Sequence, residues 1–428
     1  MDTTLPVAVI GAGPIGLSAA ANLVARGLTP LVLEAGPRIA ASIWGWGHVR
    51  LFTPWSYLLD PASQRLLEAG AGWQPPDEGY VPTGKELVEQ YLDPLAALDA
   101  LEGRILLEHR VVSVSRVGHD RMKDGARDEA PFLIVVDTPS GRRRLQAAAV
   151  IDASGTWTTP NPMGSGGVAA DGEEQLQDRI RYGMPDVMGS ERARYEGKRV
   201  LVVGSGHSAI GTVLSLTALA AEAPETLATW AVRGTNPEEL WGGGAADQIA
   251  ERGGLGTRVH EAVSSGRVTL LTGLAISAVR AHPEGLEIVD VDGASRVIVD
   301  EIVAATGARP DLGMHRELRL SLDPATESAG ALGPLIDPNH HSCGSVPPHG
   351  AVELAHPEKD FFIVGMKSYG RAPTFLLRTG YEQARSVVAA LVGDHEAARR
   401  VELVLPETGV CSTDLAYGDA EPSTRSCC

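Results

Sequence analysis

The residues with the clearest capacity for binding chemistry form a glycine-rich turn near the start of the chain. Residues Gly11–Gly16 read Gly-Ala-Gly-Pro-Ile-Gly and stand between an apolar segment and an alanine-rich one. In such a turn the first glycine permits a tight bend, the second lets a pyrophosphate approach the backbone, and the third lets helix and strand pack closely. The helix N-terminus then stabilises the phosphate charge. Gly11, Gly13 and Gly16 are therefore candidate contacts of a dinucleotide.

A second turn of this kind lies far along the chain. Residues Gly204–Ala209 read Gly-Ser-Gly-His-Ser-Ala, so alanine takes the place of the third glycine. The turn again follows an apolar segment and precedes an alanine- and leucine-rich one, which indicates a second dinucleotide site. Its candidate contacts are Gly204, Ser205, Gly206 and Ser208.

The two turns are followed by opposite charges. Glu34 ends the strand after the first turn, and Arg233 ends the strand after the second. A carboxylate at this place accepts hydrogen bonds from free ribose hydroxyls, whereas a guanidinium pairs bidentately with a 2′-phosphate. The contrast predicts two different nucleotides, of which only the second carries the extra phosphate. Arg233 is alternatively an ordinary surface arginine at a strand end.

The cysteines offer a different chemistry. The chain contains four of them, and none forms a C-x-x-C pair. Cys427 and Cys428 are adjacent at the C-terminus, and adjacent thiolates on a mobile tail can capture a soft ion such as Hg(II) or As(III). The alternative is a terminal pair without a role. The histidines near residues 339–356 match no standard ligand spacing, so we expect no metal site there.

These residues require a particular set of supporting elements. Strand, glycine turn, helix, strand and a closing hairpin occur twice, which predicts an α/β fold with parallel sheets, one Rossmann-like domain being inserted into another. A further apolar strand at Phe361–Gly365, followed by a helix from about residue 374, is expected to complete the first sheet. The predicted units are a first domain at 1–165, the inserted domain at 190–300, the completion of the first domain at 301–400, and a flexible tail at 401–428.

Composition narrows the class of protein. The chain has 428 residues, of which 43% are hydrophobic, and a net charge of −17. Such a surface repels nucleic acid and anionic lipid, so neither is an expected partner. No segment approaches the ~20 apolar residues of a membrane helix. The N-terminus enters a strand without a basic region, and cysteines are few, so we expect a soluble, cytoplasmic protein that acts on a small molecule.

With these motifs in place, the chain resembles the two-dinucleotide-binding-domain flavoproteins, which include flavin-containing monooxygenases and thioredoxin reductase-like enzymes. The resemblance implies FAD at the first turn, with Glu34, and NADPH at the second, with Arg233. Ala153–Gly155 and Ala305–Gly307 resemble the two closing Ala-Thr-Gly motifs of that group. Gly365 resembles its late glycine-aspartate motif, although Met366 replaces the aspartate.

Within this group the class B-like flavin-containing monooxygenases are the most similar branch. Glu34 and Arg38 resemble its acid-x-x-x-Arg pair, Trp44 ends a sequence similar to its Gly-Gly-x-Trp, and residues 82–92 resemble the helix that follows. These likenesses imply that Arg38, Trp44, Gly155 and Gly365 also contact FAD. The branch's F-x-G-x-x-x-H stretch is absent. His48–Phe52 and Lys367–Arg371 resemble flavoproteins encoded beside arsenic-resistance genes.

The resemblance implies an NADPH-dependent, FAD-containing monooxygenase of a small nucleophilic or carbonyl substrate. One alternative is an NADPH-dependent reductase of a soft metal(loid) or thiol compound that uses Cys427 and Cys428. Another is a flavin- and NADPH-binding regulator without turnover. No catalytic side chain is assigned. Lys367 is expected either to lie near the flavin or to belong to a basic loop facing solvent. Trp44, Trp46, Trp55 and Phe52 either shield the flavin or pack in the core.

Overall fold

The computed structural model describes residues 4–70, 72–242, 250–340, 346–373 and 375–403. In these ranges the strands are β1 Val7–Ile10, β2 Pro30–Leu33, β3 Ile105–Leu106, β4 Arg110–Arg116, β5 Phe132–Thr138, β6 Gly141–Ala147, β7 Ala149–Asp152, β8 Ile180–Tyr182, β9 Arg199–Val203, β10 Leu227–Ala231, β11 Val268–Leu271, β12 Ile276–His282, β13 Gly285–Asp290, β14 Ser295–Val299, β15 Glu301–Ala304 and β16 Phe361–Ile363.

The helices of the same ranges are α1 Pro14–Ala25, α2 Ala41–Trp44, α3 Pro61–Ala69, α4 Gly84–Leu87, α5 Asp93–Ala96, α6 Arg192–Tyr195, α7 His207–Glu222, α8 Ala250–Ser264, α9 Gly333–Ile336, α10 Leu377–Leu391 and α11 His395–Arg399. None of these helices is long and apolar enough to cross a membrane. Cys427 and Cys428, with the predicted flexible tail beyond residue 403, lie outside the described ranges.

The first sheet is parallel and has the order β16-β7-β1-β2-β3. Its central strand β1 is buried along its whole length, as the apolar run at Val7–Ile10 requires. Ile10 pairs with Leu33 on one side and with Asp152 on the other. Gly11, Glu34 and Ala153 therefore follow at one edge of the sheet, where parallel α/β sheets bind their ligands. The late strand β16 completes this sheet, as the sequence predicts.

The second sheet repeats this plan with the order β11-β10-β9-β15-β8. Val203 pairs with Ala231 and with Ala304, so that Gly204, Val232 and Ala305 stand at its carboxyl edge. Two of its strands fall outside the predicted range of 190–300. β8 precedes that range and β15 follows it. β15 pairs with β9, and β8 pairs with β15, so both strands extend the sheet on the same side of β9.

Each parallel sheet is accompanied by a three-stranded antiparallel one, β4-β5-β6 in the first domain and β12-β13-β14 in the second. The sequence predicts the last two strands of each. The sequence does not predict the first strand of either antiparallel sheet. In the first domain that strand is β4, Arg110–Arg116, and its residues are buried and accessible by turns, as in a half-buried strand. The repeated order of elements confirms the predicted architecture, in which one Rossmann-like domain is inserted into another.

Two chain segments run side by side where the domains join. Pro160 and Ala308 form an antiparallel bridge. The Asn161 N–H donates to the Gly307 carbonyl over 2.9 Å, and the Arg309 N–H donates to the Thr159 carbonyl over 3.0 Å. These bonds fix the entry and exit of the inserted domain to each other, so the two ligand-binding edges are connected by paired backbone.

Candidate functional site

The first glycine turn has the close packing that its sequence predicts. Gly11 adopts a φ of +97°, which favours glycine, and its N–H donates to the Leu33 carbonyl over 2.8 Å. A Cβ on Gly16 would stand 1.9 Å from the Gly11 carbonyl oxygen, so helix α1 approaches the turn too closely for any side chain there. A Cβ on Gly13 would meet nothing within 4 Å. The open space therefore lies at the glycine that must admit the pyrophosphate.

Helix α1 adds positive potential to this space. Gly13 is its N-cap residue and supplies no side-chain hydrogen bond to the first turn of the helix. The N-terminal N–H groups of a helix without a side-chain cap favour a bound anion. Together with the open side of Gly13, this arrangement fits the pyrophosphate of FAD.

The Glu34 carboxylate is held in place by hydrogen bonds from the protein backbone. Its side chain is buried, and its two carboxylate oxygens accept hydrogen bonds of 2.8 Å from the N–H groups of Ala12 and Gly36. A carboxylate has about four acceptor positions, so further lone pairs remain for ribose hydroxyls. The acid therefore stands beside the glycine turn with its orientation set by backbone, which fits the adenosine ribose of FAD.

Arg38 and Trp44 come together beside this acid. The Arg38 guanidinium carbon lies 4.6 Å from the centroid of the Trp44 ring, a cation–π contact. Between them Ala40 adopts a left-handed φ of 51°, and its N–H donates to the Ala12 carbonyl over 3.0 Å. The contact and this bond attach the segment carrying Arg38 and Trp44 to the first glycine turn.

A buried ionic cluster lies behind the closing motif of the first sheet. Asp152 ends β7, and its Oδ2 is 2.6 Å from the Lys367 Nζ and 2.7 Å from the His315 Nε2. All three side chains are fully buried. Burial alone would raise the pKa of Asp152, but the Lys367 ammonium and the His315 ring hold that pKa well below its ordinary value. The expectation of a solvent-facing basic loop is therefore wrong for Lys367.

The loop that carries Lys367 is anchored at Gly365. Gly365 has a φ of +72°, and a Cβ on it would lie 3.2 Å from the Ile15 side chain at the start of α1. Its N–H donates to the Gln383 side-chain oxygen over 2.7 Å. The Gln383 amide in turn contacts the His349 ring over 2.9 Å, and burial lowers the pKa of His349. Gly365 is thus packed directly against the first glycine turn.

The second glycine turn has the same backbone plan but is more open. Gly204 has a φ of +129°, and its carbonyl accepts a 2.7 Å hydrogen bond from the Trp230 indole. Gly206 is the N-cap of α7 without a side-chain bond, and a Cβ on it would meet nothing within 4 Å. Ser205 is exposed and Ser208 is half-buried. This space fits a second pyrophosphate, that of NADPH.

Arg233 differs from its expected position by one residue. The pairing of β9 with β10 places Val232, which is buried, at the register position that Glu34 occupies in the first sheet. Arg233 is the next residue and is exposed, with its Nη1 3.2 Å from the Ser165 carbonyl oxygen. The second edge therefore has no carboxylate at the ribose position and a guanidinium beside it, which fits a 2′-phosphate.

The aromatic residues near the first turn separate into two groups. Trp55 is fully buried and belongs to the core of the first domain, so it does not shield a ligand. Phe52 is half-buried, and its ring lies 5.0 Å from that of His207, the first residue of α7. Phe52 thus reaches from the first domain to the second glycine turn. Sequence reasoning could not predict this contact between distant segments.

A cavity of about 440 Å³ lies where the first domain meets the loop that follows β8 of the second domain. Trp44, His48 and Lys85 contribute from the first domain, and Asp186 and Glu191 from that loop. Glu191 is paired with Arg181 over 3.0 Å. The cavity therefore offers a polar, mixed-charge lining next to one of the expected flavin contacts.

Comparison with known proteins identifies the family and the fold of the chain. Residues 8–328 match the family described as pyridine nucleotide-disulphide oxidoreductase. Among individual relatives, ferredoxin–NADP reductase 1 of Cupriavidus necator is 25% identical over 312 residues, which is 71% of each chain.

Two solved structures share the fold over nearly the whole length. A bacillithiol disulfide reductase of Bacillus cereus is 19% identical, with a TM-score of 0.65, and the match covers 91% of this chain and 99% of the other. A flavin-containing monooxygenase of Stenotrophomonas maltophilia is 23% identical, with a TM-score of 0.53 and coverages of 91% and 98%. At these identities the likeness is one of fold.

Proposed function

The chain belongs to the pyridine nucleotide-disulphide oxidoreductase family and is an FAD- and NADPH-dependent oxidoreductase, and from this premise we propose that it is a flavin monooxygenase of a small nucleophilic or carbonyl substrate. FAD, when bound, supplies the hydride acceptance and the reaction with oxygen. The protein's own residues hold the two nucleotides, orient them and exclude water.

Each nucleotide has its own set of residues in this proposal. Gly11, Gly13, Gly16 and Glu34 hold FAD, assisted by the residues that line the same edge, namely Arg38, Trp44, Gly155 and Gly365. Gly204, Ser205, Gly206, Ser208 and Arg233 hold NADPH. Phe52, in contact with His207, keeps the nicotinamide-binding domain against the first domain.

The oxygenase proposal is carried by the cavity beside Trp44, which is lined by tryptophan, histidine and charged side chains, together with the absence of a C-x-x-C motif from the sequence. A flavin-linked disulfide reductase needs a cysteine pair beside its flavin, and the sequence contains no C-x-x-C. A lining of tryptophan, histidine and charged side chains instead suits a small polar substrate. We therefore place the substrate in this cavity.

Stopped-flow spectroscopy tests the proposal. The enzyme is reduced with NADPH and then mixed with oxygenated buffer while flavin absorbance is followed. We expect a species distinct from both oxidised and reduced flavin that persists for seconds and decays faster when substrate is present. Immediate return of the oxidised spectrum, with one equivalent of hydrogen peroxide released, would contradict the proposal.

The reductase alternative is supported by the terminal pair Cys427 and Cys428. It requires NADPH oxidation that depends on an added reducible soft metal ion such as Hg(II), or on an added disulfide. It also requires that replacement of both cysteines with serine abolish this dependence while oxygen consumption is unchanged. A regulator without turnover requires neither activity, so sustained NADPH oxidation coupled to any substrate eliminates it.

A further inference from the structure

Ser154 has an unusual relation to the buried cluster behind it. Its side-chain oxygen lies 3.0 Å from the Lys367 Nζ, and its N–H donates to the Asp152 Oδ1 over 2.9 Å. An ammonium group only donates hydrogen bonds, so the Ser154 oxygen is the acceptor in the contact with Lys367. The hydroxyl hydrogen of Ser154 is therefore free to be donated elsewhere.

The equivalent residue of the second domain shows a different arrangement. Thr306 occupies the same place in the second closing motif, and its hydroxyl donates to the Asn161 carbonyl oxygen. That bond uses the hydroxyl hydrogen within the protein, at the junction between the domains. For Ser154 no acceptor of this hydrogen occurs among the described residues. The two closing motifs thus differ in whether a donor remains for a ligand.

The surroundings of Ser154 are those of a ligand-binding edge. Ser154 is half-buried and follows the carboxyl end of β7, next to the strand that leads into the first glycine turn. A Cβ on the adjacent Gly155 would meet nothing within 4 Å. The backbone is therefore open at the residue directly after Ser154. The Lys367 side chain itself is fully buried, so it acts only through its neighbours.

We propose that Ser154 donates a hydrogen bond to an oxygen or nitrogen acceptor of bound FAD, and that the buried Lys367–Asp152 pair is the positioning device that aims this hydroxyl. Lys367 occupies the acceptor side of the Ser154 oxygen and so directs its hydrogen outward. The cation also polarises the hydroxyl and strengthens it as a donor. The inference rests on the FAD site of the proposed function but not on the oxygenase reaction.

The test measures FAD affinity of the full-length apoprotein by quenching of flavin fluorescence. We expect Ser154→Ala to weaken FAD binding about tenfold, the size of one hydrogen bond from a polarised donor. Ser154→Thr keeps the hydroxyl and should bind FAD within about twofold of wild type. Thr306→Ala is the matched control in the other domain and should leave FAD affinity unchanged. If the Ser154→Ala variant binds FAD as tightly as the wild-type protein does, the proposal is overturned.

A second background tests the role of Lys367. Asp152→Asn/Lys367→Met removes both buried charges together, because Lys367→Met alone would leave an unpaired buried carboxylate. In this background we expect Ser154→Ala to change FAD affinity by less than about twofold, since the hydroxyl is no longer aimed. A full tenfold effect in both backgrounds would overturn the positioning role. FAD affinity can be measured without oxygen and without turnover. A failure of the oxygenase proposal can therefore be distinguished from a failure of the Ser154 proposal.

Discussion

The two glycine turns share a backbone plan but differ in how far the protein encloses them. At the first turn the acid Glu34 is buried and already hydrogen-bonded to the backbone of Ala12 and Gly36. At the second, Ser205 and Arg233 are exposed. The same supersecondary unit has thus produced one site whose acid is buried and held by backbone hydrogen bonds, and one site whose polar side chains are exposed.

This difference has a physical consequence for the two nucleotides. Fixed polar groups in a covered site need no reordering when a ligand binds, so more of the interaction energy appears as affinity. Exposed charges are screened by water and salt and hold a ligand more weakly. We therefore expect FAD to remain bound through many turnovers, and NADPH to bind and leave in each one.

The largest expected effect comes from the third glycine of the first turn. Gly16→Ala places a Cβ 1.9 Å from the Gly11 carbonyl oxygen, so α1 must move away from the turn. Overpacking of this kind costs up to about 3 kcal/mol, and we expect FAD affinity to fall by about 100-fold. The measurement is the ratio of flavin to protein absorbance after gel filtration, followed by FAD titration.

Ala209→Gly is the matched control for that variant. Ala209 holds the corresponding position of the second turn and is fully buried without a clash. The change adds only the cost of glycine in a helix, about 1 kcal/mol, and should leave FAD content unchanged. Equal retention of FAD by both variants would show that the first turn is no tighter than the second.

A smaller effect is expected at the buried acid. Glu34→Gln places an amide NH2 against one of two backbone N–H donors, those of Ala12 and Gly36. One of these donors then loses its acceptor in a buried place, and the ribose loses a charged partner. We expect FAD affinity to fall about 30-fold, measured by fluorescence titration, while the KM for NADPH stays within about twofold. Unchanged FAD affinity would remove Glu34 from the site.

Much of this comparison could be predicted from the sequence. Glycine turns, the strands before them and the acid at a strand end are local features, set by a few neighbouring residues, and they predict two dinucleotide sites. The offset of Arg233 escaped prediction because spacing rules do not resolve one residue. The register of β9 with β10 places Val232 at the position of Glu34.

The cluster behind the first site was beyond sequence reasoning for a different reason. Asp152 is 163 residues from His315 and 215 residues from Lys367 along the chain. No local pattern marks a contact between such distant residues, which forms only when β7 pairs with β16. The sequence therefore leaves Lys367 either near the flavin or in a solvent-facing loop; the structure excludes the second, since Lys367 pairs with Asp152 in the interior.

The smallest effect is expected at the open site, where Arg233 is exposed and partly engaged with the Ser165 carbonyl. Arg233→Glu replaces attraction for a 2′-phosphate with repulsion but leaves the pyrophosphate contacts of the turn intact. We expect the KM for NADPH to rise about tenfold and that for NADH to change less than about twofold. Arg233→Lys keeps the charge and should lie between wild type and Arg233→Glu. The selectivity is measured as the ratio of kcat/KM for the two nucleotides, at low and high salt, because screening weakens only the charge-dependent part. Equal changes in KM for both nucleotides would show that Arg233 does not bind the 2′-phosphate. The preference for NADPH would then depend on other residues.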